Sequence, residues 1–263
     1  MSASTRSLGL LQDKVVLVSG TGPGLGREIA LGAAAEGASV VVGARRIEII
    51  EAIVDEIEGL GGSALAVQTD IARPESATQL VTSAVERFGR LDVVVNNATA
   101  VEPIAPFVDT HLEAWQANFE VTVRGSLTVT QAAVPHLAAA GGAIVFVNTM
   151  VIRIPVPNLG AYAASKGALE SVARILAAEL GPSGIRVNSI VPGWIWGEAA
   201  REHAESQGNG TADEWYESIA AQAALRTIPT EQQVARTVLF FASPLSESVT
   251  GQTLDVNAGI YFS

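Results

Sequence analysis

The stretch KVVLVSGTGPGLGREIALGAAAEG, residues 14–37, constrains the fold of this chain more than any other. A short apolar run rich in β-branched residues ends in Ser19. Four glycines follow, Gly20, Gly22, Gly24 and Gly26, and then an Ala-rich helical pattern. An apolar run too short for a helix reads as a strand buried on both faces, which is the habit of parallel sheets. Parallel neighbours need a long crossover between them, usually a helix.

The same alternation recurs along the chain. Strand-like runs fall at 14–19, 39–43, 63–68, 91–95, 143–148 and 185–190, with a short last one at 253–256. Helical patterns fall at 27–36, 47–58, 74–88, 112–137, 162–180 and 231–241. Right-handed crossovers then predict a single-domain α/β fold, a Rossmann-like doubly wound parallel sheet of about seven strands with helices on both faces. No linker or internal repeat divides the chain. The expected organisation is a flexible tail over 1–10 and one dinucleotide-binding body over 11–263. The conspicuous insertion, at 197–227, is polar and reads as a lid.

Composition excludes several functions. Sixteen basic against twenty-seven acidic residues give a net charge of −11, a field that repels phosphate backbones, so no nucleic-acid partner is expected. The absence of cysteine rules out disulfides, thiolate metal sites and cysteine nucleophiles. His111, His136 and His203 are not spaced as ligands on one helix face, so no metal site is expected. The first twelve residues lack the apolar core of a signal peptide, and no run approaches the roughly 18 apolar residues of a membrane span. A cytoplasmic protein with no membrane partner is the expectation.

Glycine after a first strand permits a tight turn, lets backbone approach a pyrophosphate and packs helix against strand. The helix that follows turns its free N–H groups and positive dipole end toward those phosphates. A second feature lies in G-A-Y-A-A-S-K, where Tyr162 and Lys166 stand four residues apart. On a helix that spacing leaves about 5–6 Å between their β-carbons. A lysine cation about 4 Å from the phenol would favour the phenolate by roughly 4 kcal/mol at an effective dielectric near 20, drawing its pKa from about 10 toward neutrality. Small neighbours leave room for a cofactor and a substrate to reach the pair.

The turn has the spacing G-x-x-x-G-x-G, with Gly20, Gly24 and Gly26, and Tyr162 and Lys166 stand in a Y-x-x-x-K frame. With N-N-A at 96–98, Asn118, P-G-W-I at 192–195 and T-G-Q at 250–252, the chain resembles the short-chain dehydrogenase/reductase family from about residue 11 to 259. The resemblance implies an oxidoreductase that interconverts a ketone or aldehyde and an alcohol by hydride transfer. Tyr162 is then general acid/base. Lys166 is its electrostatic partner and bonds the nicotinamide ribose, and Asn118 anchors a water relaying protons. Cofactor contacts fall to Gly20, Thr21, Gly22, Gly24, Leu25, Gly26, Asp70, Ile71, Asn97 and Ile195, beside Tyr162 and Lys166. Asp70 would meet the adenine or merely cap its loop. The resemblance also implies a homotetramer through the helices at 112–137 and 162–180.

Thr149 stands thirteen residues before the tyrosine, where the family usually has serine. It keeps the hydroxyl for a substrate oxygen but stiffens χ1. Thr99 replaces a family glycine, Gly197 a threonine that contacts the cofactor, and V-N-A-G at 256–259 replaces V-D-G-G. These departures motivate a rival: a weakly active or inactive cofactor-binding scaffold or sensor. An isomerase or dehydratase reusing the cofactor is a third reading.

The second strand ends in Ala44, Arg45 and Arg46, with no acid to bind both ribose hydroxyls. Arginine can fork onto a 2′-phosphate, so NADP is expected in preference to NAD, with Arg45 the contact. Trp194, Trp196, Trp215 and Tyr216 fall in or beside the lid. Either Trp194 and Trp196 line a pocket for a small apolar carbonyl or alcohol, or the rings only pack the lid onto the body.

Overall fold

The computed structural model describes residues 7–206, 208 and 210–262. Seven strands form one sheet: β1 (Val15–Ser19), β2 (Ser39–Ala44), β3 (Ser63–Gln68), β4 (Val93–Asn96), β5 (Ala143–Val147), β6 (Arg186–Pro192) and β7 (Thr253–Val256). Their order is β3-β2-β1-β4-β5-β6-β7, and every pairing is parallel. The chain runs outward from β1 in one direction, then returns to β4 and runs in the other. The reversal leaves a crevice beyond the carboxyl ends of β1 and β4.

Strand alternation sorts the core into two layers. Val16 and Val18 face α1 (Leu25–Ala35), α2 (Ile47–Gly59) and α9 (Glu231–Ala242). Val15 and Leu17 face α3 (Pro74–Phe88), α5 (Ser126–Ala140) and α6 (Gly160–Leu180). All five residues of β1 are buried, as its unbroken apolar run predicts. Each of its four Val and Leu side chains gains roughly 1.5–3 kcal/mol from leaving water.

The tail expected over 1–10 lies, for residues 1–6, outside the described residues. The N–H groups of Leu8 and Leu10 donate to the Glu36 carboxylate at 3.0 and 3.1 Å, which ties residues 8–10 to the end of α1. No described helix is long and apolar enough to cross a membrane.

Two stretches differ from the sequence expectation. The helix expected over 112–137 is interrupted: α4 (Leu112–Phe119) passes into a six-residue π-helical segment (Glu120–Gly125) before α5 begins. Asn118 and Thr122 turn their side chains onto the neighbouring loop there, and Gly125 lies so close to Ile71 that a Cβ would meet its Cδ1 at 2.7 Å. The insertion expected as a polar lid folds into α7 (Glu198–Ser206) and α8 (Ala212–Ala220). Thr211 and Glu214 form a reciprocal capping box at the start of α8, a local signal present in the sequence.

Candidate active site

The crevice at the strand reversal is an open cavity of about 660 Å³. Its walls come from the glycine turn after β1, residues 43–46 after β2, 69–71 after β3 and 97–100 after β4. Gly20 adopts φ 90°, and a Cβ there would stand 2.6 Å from Ala98 Cβ and closer still to its backbone. Gly26 is pressed on Gly20, with 2.7 Å between an added Cβ and the Gly20 carbonyl oxygen. Asn97 Nδ2 donates to that same oxygen at 2.7 Å, locking the turn to the end of β4. Gly22 is different, since an added Cβ would meet nothing within 4 Å. No side chain caps α1, whose first residues Leu25 and Gly26 line the cavity. Bare N–H groups at a helix start, backed by a turn with no side chains to block approach, suit a pyrophosphate. A dinucleotide fits these residues.

Around the rim, the Thr21 hydroxyl turns inward and donates to Val18 O at 3.0 Å, leaving that residue's backbone toward the cavity. Asp70 Oδ1 accepts from Ala72 N at 3.1 Å, so one oxygen caps its own loop. Ile71 lines the cavity, buried under Gly125. Arg45 and Arg46 line it too, with exposed side chains at the end of β2. Ile195 packs instead on the core beneath α1 and α9 and does not line the cavity.

Tyr162 and Lys166 share one face of α6, and Thr149 leaves the end of β5, on the same carboxyl edge of the sheet as the cavity. The Thr149 side chain faces the Tyr162 phenol and favours its ionised form. One sequence expectation is corrected here. Burial holds the phenol above its ordinary value near 10, only partly offset by Thr149, with no pull from Lys166. The reason is where the ammonium sits. Lys166 is 1% exposed, its Nζ donates to Val147 O at 2.6 Å, and burial draws its own pKa down to about 7. A cation directed at the strand, and only partly charged at neutral pH, cannot act as the full charge at 4 Å assumed from spacing.

Asn118 is 1% exposed and commits Nδ2 to Ala100 O at 2.6 Å and Glu102 O at 3.2 Å. Its side chain holds the loop after β4 against the π-helical segment.

Arg153 and Glu170 carry a link that motif reading missed. The Arg153 guanidinium grips the Glu170 carboxylate at 3.0 and 2.6 Å and reaches Asp255 of β7 at 3.5 Å. This clamp fastens the loop after Thr149 to the helix carrying Tyr162 and Lys166. The available signal was Glu170 itself, one helical turn past Lys166 on the same face.

The aromatic residues of the 197–227 region meet one another. Trp194 and Trp215 stand edge to face with ring centres 4.9 Å apart, and Trp196 lies 4.8 Å from Tyr216. The guanidinium of Arg201 sits 4.4 Å over Trp196. These contacts join α7 and α8 to the loop leaving β6. Among the described residues no cluster of His, Asp or Glu could hold a metal ion.

A seven-stranded parallel sheet in this order, with a glycine-lined crevice at its reversal, defines a doubly wound nucleotide-binding α/β protein. Comparison with known proteins narrows the class. The family model described as enoyl-(acyl carrier protein) reductase matches residues 20–261. An uncharacterised oxidoreductase of Methylorubrum extorquens is 35% identical over 95% of this chain and 98% of its own length. L-Rhamnose 1-dehydrogenase (NAD(P)(+)) of a Sphingomonas species is 34% identical over 96% of this chain and 98% of its own. The crystal structure of NAD+-bound xylitol dehydrogenase superposes with a TM-score of 0.87 at 25% identity, covering 95% of this chain and 99% of that one. The chain belongs to the short-chain dehydrogenase/reductase family and is an oxidoreductase of that family.

Proposed function

We propose that this protein interconverts a ketone or aldehyde and an alcohol with a nicotinamide dinucleotide, Tyr162 moving the proton. The observation that carries this reading is the phenol of Tyr162, faced by Thr149 on the sheet edge that also bears the glycine-lined cavity. A bound nicotinamide would supply or accept the hydride at the carbonyl carbon. In the reducing direction the carbonyl oxygen gains the phenolic proton as its carbon gains hydride. In the oxidising direction the alcohol O–H proton returns to the phenolate oxygen. Thr149 keeps a hydroxyl within reach of the same oxygen, which supports its standing in for serine and weakens the case for an inactive scaffold. Lys166 binds α6 to β5 through its bond to Val147 O. Asn118 is a positioning residue through the loop at 100–102.

A phenol raised by burial stays protonated at neutral pH, ready as an acid and poor as a base. Alcohol oxidation is therefore expected to climb with pH from neutrality to about pH 10 without levelling, while ketone reduction holds through the neutral range. Initial rates across that range check this. A plateau in oxidation near pH 7 would show a phenol depressed by some charge after all.

The exposed guanidinium of Arg45 at the cavity rim, with no acid at Ala44, supports NADP as the preferred cofactor and NAD as a weaker one. Arg45→Asp is expected to raise the Kd for NADP+ about 10- to 100-fold, while changing that for NAD+ far less. Calorimetric titration of both cofactors decides it, and equal losses would remove Arg45 from the 2′-phosphate. Trp194 and Trp196 at the mouth of β6 support a small apolar carbonyl or alcohol as substrate. The apolar groove along α5 and α6, lined by Leu127, Val134, Leu176 and Leu180, supports assembly into a homotetramer.

A further inference from the structure

Gly24 caps α1 at the wall of the cavity, and Gly197 lies in the loop that leaves β6. The two glycines meet a single side chain. A Cβ at Gly24 would stand 2.7 Å from Glu231 Oε1, and one at Gly197 would overlap the same carboxylate. Glu231 is the first residue of α9, the helix that packs along α1. Glycine on both elements thus leaves a seat beside the start of α1 that a carboxylate fills. Among the described residues no hydrogen bond or ion pair holds that carboxylate there.

The start of α1 is also where the fold presents bare N–H groups and a positive dipole end to an anion. We propose that Glu231 sets the affinity for the dinucleotide, its carboxylate standing against the pyrophosphate at the start of α1, so that binding requires it to turn away or take up a proton. This rests on the dinucleotide reading above and deepens it with a residue that opposes binding. No motif pointed to Glu231, because an acid in the first turn of a helix is ordinarily only a dipole partner.

The charges facing Glu231 do not neutralise it. Glu28 and Arg27 approach from α1 and Glu198 from α7, while the glycine turn and residues 193–197 bring no charged side chain. Arg27 is drawn off by Glu56 of α2 at 2.5 Å and by its neighbour Glu28. Burial, then Glu28 and Glu198, hold the Glu231 carboxyl above its usual range, with Arg27 opposing. A phosphate nearby would raise it further. Affinity is then greatest where Glu231 is protonated in the free protein, and falls as pH rises until it is ionised in both states.

The test is the Kd of NADP+ and of NAD+, read by calorimetry or tryptophan fluorescence, for the wild type, Glu231→Gln and Glu231→Ala between about pH 5 and pH 8.5. Glu231→Gln keeps the capping box of Thr230 and Gln233 at the start of α9. At the alkaline end it is expected to bind both cofactors about tenfold more tightly than the wild type, with the ratio shrinking toward one as pH falls. Tight binding by all three proteins with no difference at any pH overturns the inference alone. Tighter binding by Glu231→Ala without any gain in Glu231→Gln shows bulk rather than charge, and overturns it too. Failure of all three to bind either cofactor overturns the dinucleotide reading and this inference together.

Discussion

Replacing Tyr162 with Phe is expected to lower kcat by about 10²- to 10⁴-fold while leaving dinucleotide Kd within about threefold. The ring remains to fill its place on α6, and the neighbour the phenol loses is the Thr149 side chain. Thr149 is partly exposed, so its hydroxyl can turn to solvent, and folding should change by no more than about 1 kcal/mol. What disappears is the phenolic proton that the proposed mechanism delivers to the substrate oxygen. Steady-state rates with a ketone panel, together with cofactor titration, measure both halves of the expectation. A variant that keeps more than about a tenth of wild-type kcat would mean that another group carries the proton.

Gly20→Ala is expected to destabilise the fold by about 2–5 kcal/mol, from left-handed strain and from overlap with Ala98 together. The backbone of Gly20 is at φ 90° and sits against the main chain of β4's exit, held there by Asn97 Nδ2 on its carbonyl. Neither side of that contact is a flexible side-chain tip, so relief requires moving β1 relative to β4. For a domain this size the loss corresponds to about 5–15 °C in Tm. Gly22→Ala is the internal control. It meets nothing within 4 Å, so its Tm should be close to wild type, and any effect should appear in cofactor Kd. Equal melting temperatures for wild type and Gly20→Ala would show that the turn is not wedged as described.

These two glycines mark what could be read in advance. Their presence after a buried strand pointed to a phosphate turn, but not to their separate duties. Gly20 serves the packing of turn on strand, and Gly22 leaves the cavity open. The pairing of Tyr162 with Lys166 on one helical face followed from spacing alone. The direction of the lysine did not, because its Nζ is claimed by Val147 O, nineteen residues away. Asn118 stood out by family resemblance, yet the π-helical segment that follows it, six residues long, is too short to carry a periodic signature of its own. The insertion at 197–227 concealed two helices whose burial depends on tryptophans meeting across the loop from β6.

The order and type of the main elements, the parallel sheet and the cleft at its reversal were determined by the sequence, because short apolar runs alternating with amphipathic ones admit few arrangements. The tertiary structure alone decided the electrostatics. The raised phenol, the half-charged lysine, the clamp from Arg153 to Glu170 and the carboxylate of Glu231 beside Gly24 join residues 13 to 207 positions apart in the chain. A charge interaction depends on distance and on exclusion of water, and neither exists until the chain has folded.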